Sequence, residues 1–301
     1  MKYLVKKVIK GRSYYYLQYK DYTKNLGQFL PGDLKSAFRD FFRNVANKEF
    51  GSFSPSVKKE FKYFDLKLIE NSCYWYATLK HEVFQEDYFN FYREFIVLFT
   101  YNSNKSEGSK TKKSEVLKID PWLKRKPKTK TEIEIMDSFA AFNYAFSDKM
   151  EWNLKSIRQI HKLLLGRLDP VIAGNWKDED NVAPGDDITT DFNDVPKAMS
   201  NLMDWFYREM KNEVYPPVLA LRFYCKFEKI HPFLDGNGRV GRILLNAILD
   251  KFDYPPVVFF AENKLEHSGA LRAMLDNRPI KMYKHLICQF KKTYKSLKIN
   301  F

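Results

Sequence analysis

Apolar and aromatic residues alternate with polar ones at the start of the chain. YLVKKVI and SYYYLQY are rich in β-branched and aromatic residues, and Lys10–Gly11–Arg12 between them supplies a turn, so this pattern predicts paired strands. A third short strand is expected near Leu26 to Leu30. From Asp33 onward the apolar spacing becomes helical. Asp33 is placed to cap LKSAFRDFFRNVANKEF, and Ser54 with Pro55 at the first helical position opens SVKKEFKYFDLKLIENSCYWYATL. Gln85 to Glu107 carries apolar residues on more than one side, which predicts a buried helix. The Lys-rich, Pro-bearing stretch 109–130 interrupts the periodicity and reads as a linker. Helical spacing resumes at Thr131 in TEIEIMDSFAAFNYAF, NLKSIRQIHKLLLG, DVPKAMSNLMDWFYREM and PVLALRFYCKFEKI. Residues 171–194 break it with Gly and Asp punctuation, as a hairpin or long loop would. ILLNAILDKF continues as a helix that Tyr254–Pro255–Pro256 stops, and two more helical segments follow. The expected fold is mainly α, with a small β element at each of two places. Three parts are expected: an N-terminal region at 1–108, a basic linker at 109–130 and a larger helical domain at 131–301.

Composition narrows the setting. The chain has 301 residues, 45% hydrophobic and 17% aromatic, enough for a sizeable core. Its most apolar short run, Phe95–Ile96–Val97–Leu98–Phe99, is far too brief to span a bilayer. The basic start MKYLVKKVIKGRS lacks the apolar region and cleavage site of a signal peptide. Cys73, Cys225 and Cys288 are odd in number and widely spaced, which suggests reduced thiols and a cytoplasmic setting, and no CxxC or Cys/His cluster suggests zinc. The net charge of +14 is uneven. Residues 1–130 hold 27 Lys+Arg against 14 Asp+Glu, whereas the rest hold 24 against 23. Such a basic half suits nucleic acid, acidic proteins or a membrane surface. It is equally the charge of a solvated, lysine-rich linker, because no recognition motif accompanies it.

The candidate chemistry lies in HPFLDGNGRVGR, His231 to Arg242. Gly236, Gly238 and Gly241 fall at or just inside a helix start, where glycine allows close backbone approach and free N–H groups point outward. Together with the helix dipole they make an anion site, most often for phosphate. Arg239 and Arg242 add two charges that grip phosphate oxygens. Asp235 beside that site is a candidate Mg²⁺ ligand, since the ion favours carboxylate plus phosphate oxygens. His231 is a candidate general base with a pKa near working pH. Pro232 and Phe233 pin the loop to the core. Taken singly these residues have ordinary structural uses: a core histidine, a GxG turn, a helix cap at Asn237. Their coincidence at one helix start points to a phosphate or nucleotide site.

This stretch resembles the active-site motif of the Fic family, HxFx(D/E)GNGRxxR, and matches it at every fixed position. The resemblance extends from about residue 90 to 290, through IRQIHKLLL, VIAGNWKDEDNVAPG, LALRFYCKFEKI and LLNAILDKFDYPPV. It implies a Fic-type helical bundle with a β-hairpin flap. It also implies a protein adenylyltransferase, which moves AMP from ATP to a Ser, Thr or Tyr hydroxyl of a protein, itself included. In that reading His231 is the base and Asp235 holds Mg²⁺. Gly236, Asn237 and Gly238 line the anion hole, with the Asn237 side chain near the α-phosphate. Arg239 contacts the β-phosphate region, Arg242 reaches the γ-phosphate, and Asn277 faces the nucleotide.

SNKSEG resembles the family's inhibitory pattern (S/T)xxxE(G/N), with Ser103, Glu107 and Gly108. The resemblance implies that Glu107 pairs with Arg242 and blocks productive ATP placement. Residues 172–190 resemble the flap that docks a target segment by strand addition, through Gly174, Trp176 and Lys177. Two departures are visible. Lys177 stands where the family often has Arg, and Leu265–Glu266–His267–Ser268 replaces a common Tyr-Tyr pair near the adenine pocket. Other readings stay open: removal of AMP by the same site, transfer of another phosphate-linked group such as UMP or phosphocholine, or a nucleotide-responsive regulator that binds nucleic acid. The target protein is unnamed by the sequence, and a second copy of the chain is among the partners to test.

Overall fold

The first turn is set by Lys10 and Gly11, both in the left-handed backbone region (φ 50° and 75°), the pair of positive φ values that matches the twist of a two-residue hairpin. In this computed structural model the described residues are 4–19, 21–49, 63–80, 84–122, 125–183 and 187–299. The expected helix opening at Ser54–Pro55 lies outside them. They divide into two units: the chain up to Phe91 together with Asp253–Pro255, and Tyr92–Phe252 together with Pro256 onward.

The first unit opens with an antiparallel sheet, β1 (Leu4–Ile9), β2 (Arg12–Tyr19) and β3 (Tyr22–Gly27), in the order β1-β2-β3. Leu4 pairs with Leu17 and Tyr19 with Tyr22. That tight second register starts β3 at Tyr22, so pairing is complete by Gly27. The strand therefore lies earlier than the apolar residues of Leu26 to Leu30 suggest, and Phe29 is left 83% exposed. Helices α1 (Leu34–Glu49) and α2 (Tyr63–Leu79) follow. Asp33 caps α1 as expected, its Oδ1 accepting from the Ser36 N–H at 2.8 Å. Leu17, Phe38, Phe42 and Tyr74 form the core of this unit, with the Phe42 and Tyr74 rings stacked 5.3 Å apart.

Helix α3 (Gln85–Ser106) is mostly buried from Phe91 onward, as its apolar pattern predicts, but its first six residues are not, and from Tyr92 it belongs to the second unit. There Phe95 and Phe99 pack on Phe142. A short helix, α4 (Lys113–Leu117), lies within the Lys-rich stretch 109–130, and Val116 and Ile119 are buried there. Next come α5 (Lys130–Ala145), α6 (Leu154–Leu165), a small hairpin of β4 (Val182–Ala183) and β5 (Asp187–Ile188), α7 (Val195–Lys211), α8 (Pro216–Ile230), α9 (Asn237–Lys251), α10 (Lys264–Leu275) and α11 (Ile280–Ser296). Side-chain caps start α5 at Thr129 and α6 at Asn153, while prolines in the first turn start α7 and α8. Helix α9 is buried on all sides from Arg239 to Leu249, so it is the central rod of this unit. Its N-terminus carries the candidate loop. Among the described residues, no helix is long and apolar enough to cross a membrane.

Candidate active site

His231 caps the C-terminus of α8 with a left-handed backbone (φ 51°, ψ 60°), and its N–H donates to the Phe227 carbonyl at 2.9 Å. For a residue other than glycine that conformation costs about 1–2 kcal/mol. The reversal it makes sends the chain back toward α9. Gly236, at φ 78°, turns it again into the helix. Between them the loop is bolted from inside. Asn237 Oδ1 accepts from the Phe233 N–H at 2.9 Å, and Asn237 Nδ2 donates to the Phe233 carbonyl at 2.6 Å. Both polar ends of this side chain, expected near a phosphate, thus serve the loop. What Asn237 adds to the anion site is its place at the start of α9. Asn237→Ala would leave the buried Phe233 N–H unpaired, while the Phe233 carbonyl keeps its bond from Asn181 Nδ2 at 2.8 Å, and the expected cost is about 2 kcal/mol, read as a lower denaturation midpoint. An unchanged midpoint would show that the Phe233 bonds do not hold the loop.

A second clamp comes from α6. The His161 ring stacks on Phe233 with centroids 3.8 Å apart and planes 4° from parallel. Its Nδ1 accepts from the Gly174 N–H at 2.8 Å, so Nε2 carries the proton and donates to the Asp235 carbonyl at 3.0 Å. Burial, with Arg239 adding to it, lowers the His161 pKa to about 4 and keeps the ring neutral. Helical periodicity alone places this histidine on an apolar face, where it reads as core. Its partners lie 13 and 74 residues away, which is why the sequence does not reveal its use.

The loop and α9 border a cavity of about 480 Å³ lined by Glu107, Glu228, His231, Gly238, Arg242 and Lys264 among others. The first intrahelical bond of α9 runs from the Val240 N–H to the Gly236 carbonyl, so the N–H groups of Asn237, Gly238 and Arg239 precede it. His231 is buried, and that burial lowers its pKa below the usual value, favouring the neutral ring. Its Nδ1 lies 3.3 Å from the Glu228 carbonyl, which can only accept, so Nδ1 bears the proton and Nε2 has the lone pair. Asp235 is the exposed member, at 60% for its side chain. Its Oδ2 pairs with Arg239 Nη2 at 2.8 Å and its Oδ1 accepts from the Gly236 N–H at 2.6 Å. No group of three His, Cys, Asp or Glu among the described residues could hold a metal alone. One carboxylate at the mouth of an anion cradle fits Mg²⁺, which completes its shell with water and substrate phosphates.

Glu107 reaches this cradle from the end of α3. Its Oε1 accepts from Arg242 Nη2 at 2.7 Å. Ser103, one turn earlier, accepts from Arg242 Nε through its hydroxyl at 3.1 Å and from Nη2 through its carbonyl at 3.0 Å. Gly108, at φ 89°, ends the helix, with the Ser109 N–H returning to the Asn104 carbonyl. Burial pushes the Glu107 pKa up, but Arg242, with Arg239 and Lys264, overcomes it and leaves the carboxyl below its usual value. A Cβ at Gly238 would lie 2.3 Å from Glu107 Oε1, so the carboxylate occupies space that any side chain there would fill.

The flap residues have structural partners. The Gly174 carbonyl accepts from Arg158 Nε at 2.6 Å, and Trp176 packs on Phe233 with Arg158 over its ring. Lys177 is 3% exposed. Its Nζ donates to Asn181 Oδ1 at 2.9 Å and to Thr189 Oγ1 at 2.8 Å, tying the two limbs of the hairpin, and its backbone N–H donates to the Pro232 carbonyl. Burial lowers its pKa. Asn277 is not brought to the cavity of His231. It borders a separate cavity of about 560 Å³ with Trp205, Arg222 and Lys226.

Residues 151–249 match the model of the Fic/DOC family. The protein adenylyltransferases Fic of Drosophila grimshawi and Drosophila willistoni are 31% and 33% identical to the chain over 130 residues, which is 43% of it. The chain spans only about a quarter of their length (27% and 26%). Two solved structures share the fold. One is a Fic domain containing signaling protein from Bacteroides thetaiotaomicron, with TM-score 0.59, 22% identity, and coverage of 85% of this chain and 96% of that one. The other is Fic-1 from C. elegans, with TM-score 0.62, 18% identity, and coverage of 88% and 85%.

Proposed function

We propose that this chain, which carries a Fic/DOC domain at residues 151–249, transfers AMP from ATP to a hydroxyl of a protein. The observation that carries the proposal is the joint geometry of one helix start. A neutral, buried histidine has Nε2 free, three N–H groups precede the first bond of α9, and two arginines flank them. His231 takes the proton of the target hydroxyl as its oxygen attacks the α-phosphorus. A new P–O bond forms, the bond to the β-phosphate oxygen breaks, and pyrophosphate leaves. The start of α9 receives the charge that develops on the phosphate. Arg239 and Arg242 hold the leaving phosphates, and little covalent work falls to the protein. Asp235 would hold Mg²⁺, which supplies charge neutralisation at the phosphates. Glu107, paired with Arg242, competes for the group that grips the nucleotide and so restrains the reaction. The names of the Drosophila relatives support the choice of AMP.

The test is intact mass after incubation with Mg²⁺ and each nucleoside triphosphate. Addition of one AMP mass with ATP, and none with UTP, is the expected result. Addition with UTP alone would overturn the base assignment, and no addition in the wild type or in Glu107→Gly with any nucleotide or added protein would overturn the transferase.

A further inference from the structure

Glu228 is a charged residue type with an unusual place. It sits one helical turn before His231 and is 5% exposed. Its Oε2 lies 3.9 Å from His231 Nδ1, about 1 Å longer than an N–H···O hydrogen bond. Its Oε1 is buried without a hydrogen-bond partner, a condition that native structures rarely keep without reason. The central helix makes room for it. A Cβ at Gly241 would lie 2.6 Å from Glu228 Oε1 and 3.0 Å from the Tyr224 ring, so α9 is notched where this carboxyl rests. Gly241 belongs to HPFLDGNGRVGR but has no part in the start of α9, and the notch gives it a use.

We infer that Glu228 is the positioning residue of His231: its backbone carbonyl holds Nδ1–H inward, and its carboxyl, 3.9 Å from Nδ1, takes that N–H as a carboxylate once Nε2 has accepted a proton. A base oriented by a third group is the general logic of activated nucleophile sites. The inference rests on the reading of His231 as the base. Around the pair stand Tyr224 and Cys225 on α8, Arg242 on α9 and Glu107 at the end of α3, while Lys177 and Asp235 face His231. Burial raises the Glu228 pKa to about 8, Arg242 opposes this and Glu107 adds to it. The seated Glu107 therefore favours the neutral form of Glu228. With Glu107 gone, Arg242 acts on it unopposed and it ionises at lower pH.

The experiment uses the full chain in the Glu107→Gly background, with the His231 ring titrated by nitrogen-15 NMR beside kcat and KM for ATP. Glu228→Gln is expected to lower the His231 pKa by about one unit, since it removes an opposite charge at close range. It is expected to reduce kcat on the order of tenfold while leaving KM unchanged. Gly241→Ala, which displaces the carboxyl without deleting it, should move His231 in the same direction, and circular dichroism checks the fold of both. His231 titrating identically in all three chains would overturn the inference, whether or not AMP is transferred. A shifted titration in chains that transfer no AMP would uphold the positioning and sink the transferase instead.

Discussion

Glu107→Gly is expected to raise self-modification by labelled ATP roughly 10- to 150-fold. The range follows from the charge-assisted bond between Arg242 and Glu107, worth about 1.5–3 kcal/mol, which the nucleotide must otherwise displace. Each ~1.4 kcal/mol is a factor of ten. Arg242 does not collapse when Glu107 is removed, because Ser103 still accepts from Nε and Nη2. The same substitution takes a counter-charge from a guanidinium only 7% exposed, so the variant should also unfold at lower denaturant concentration. More activity with less stability is the signature of a restraining contact. A rate with labelled ATP equal to wild type would remove Glu107 from that role.

His231→Ala in the Glu107→Gly background is expected to lower AMP transfer by about 10²- to 10⁴-fold, the usual share of a general base. The left-handed backbone at this position complicates alanine, so His231→Asn is the better control for folding, since asparagine tolerates that region. Burial lowers the His231 pKa below its ordinary 6.5, so the ring is a competent neutral base at pH 7. Activity should hold through neutral pH and fall as the pH drops below that range and the ring protonates. Residual transfer within about tenfold of the parent in both variants would show that the proton goes elsewhere.

Much of the candidate site was legible because its chemistry is local. Six of its residues fall between Asp235 and Arg242, and one helix start brings them together. Glu107 was legible for a different reason: a short pattern at the end of a long apolar helix, whose 135-residue reach to Arg242 only the fold supplies. What stayed hidden has a common cause. His161 sits among apolar neighbours at helical spacing, and its ring nitrogens are used by the backbone of two distant loops. Glu228 looks like a surface charge near the end of a helix until Gly241 and Tyr224 close over it. The Asn237 side chain, expected near a phosphate, satisfies Phe233 because a buried loop must pair its own backbone first. Lys177, expected at a docking flap, is drawn inside by Asn181 and Thr189. Strand β3 moved toward Tyr22 because a tight turn, rather than the apolar run, sets register.

The space above Gly238 has a consequence in kinetics. It is a seat for a single oxyanion, since the Glu107 carboxylate lies where even one added carbon would intrude. A phosphate seated there on the proposed reading would have to displace the carboxylate, and occupancy would follow mass action. Restraint of this kind would raise the nucleotide concentration at which transfer sets in. A missing methyl group would thus let the chain read how much ATP surrounds it.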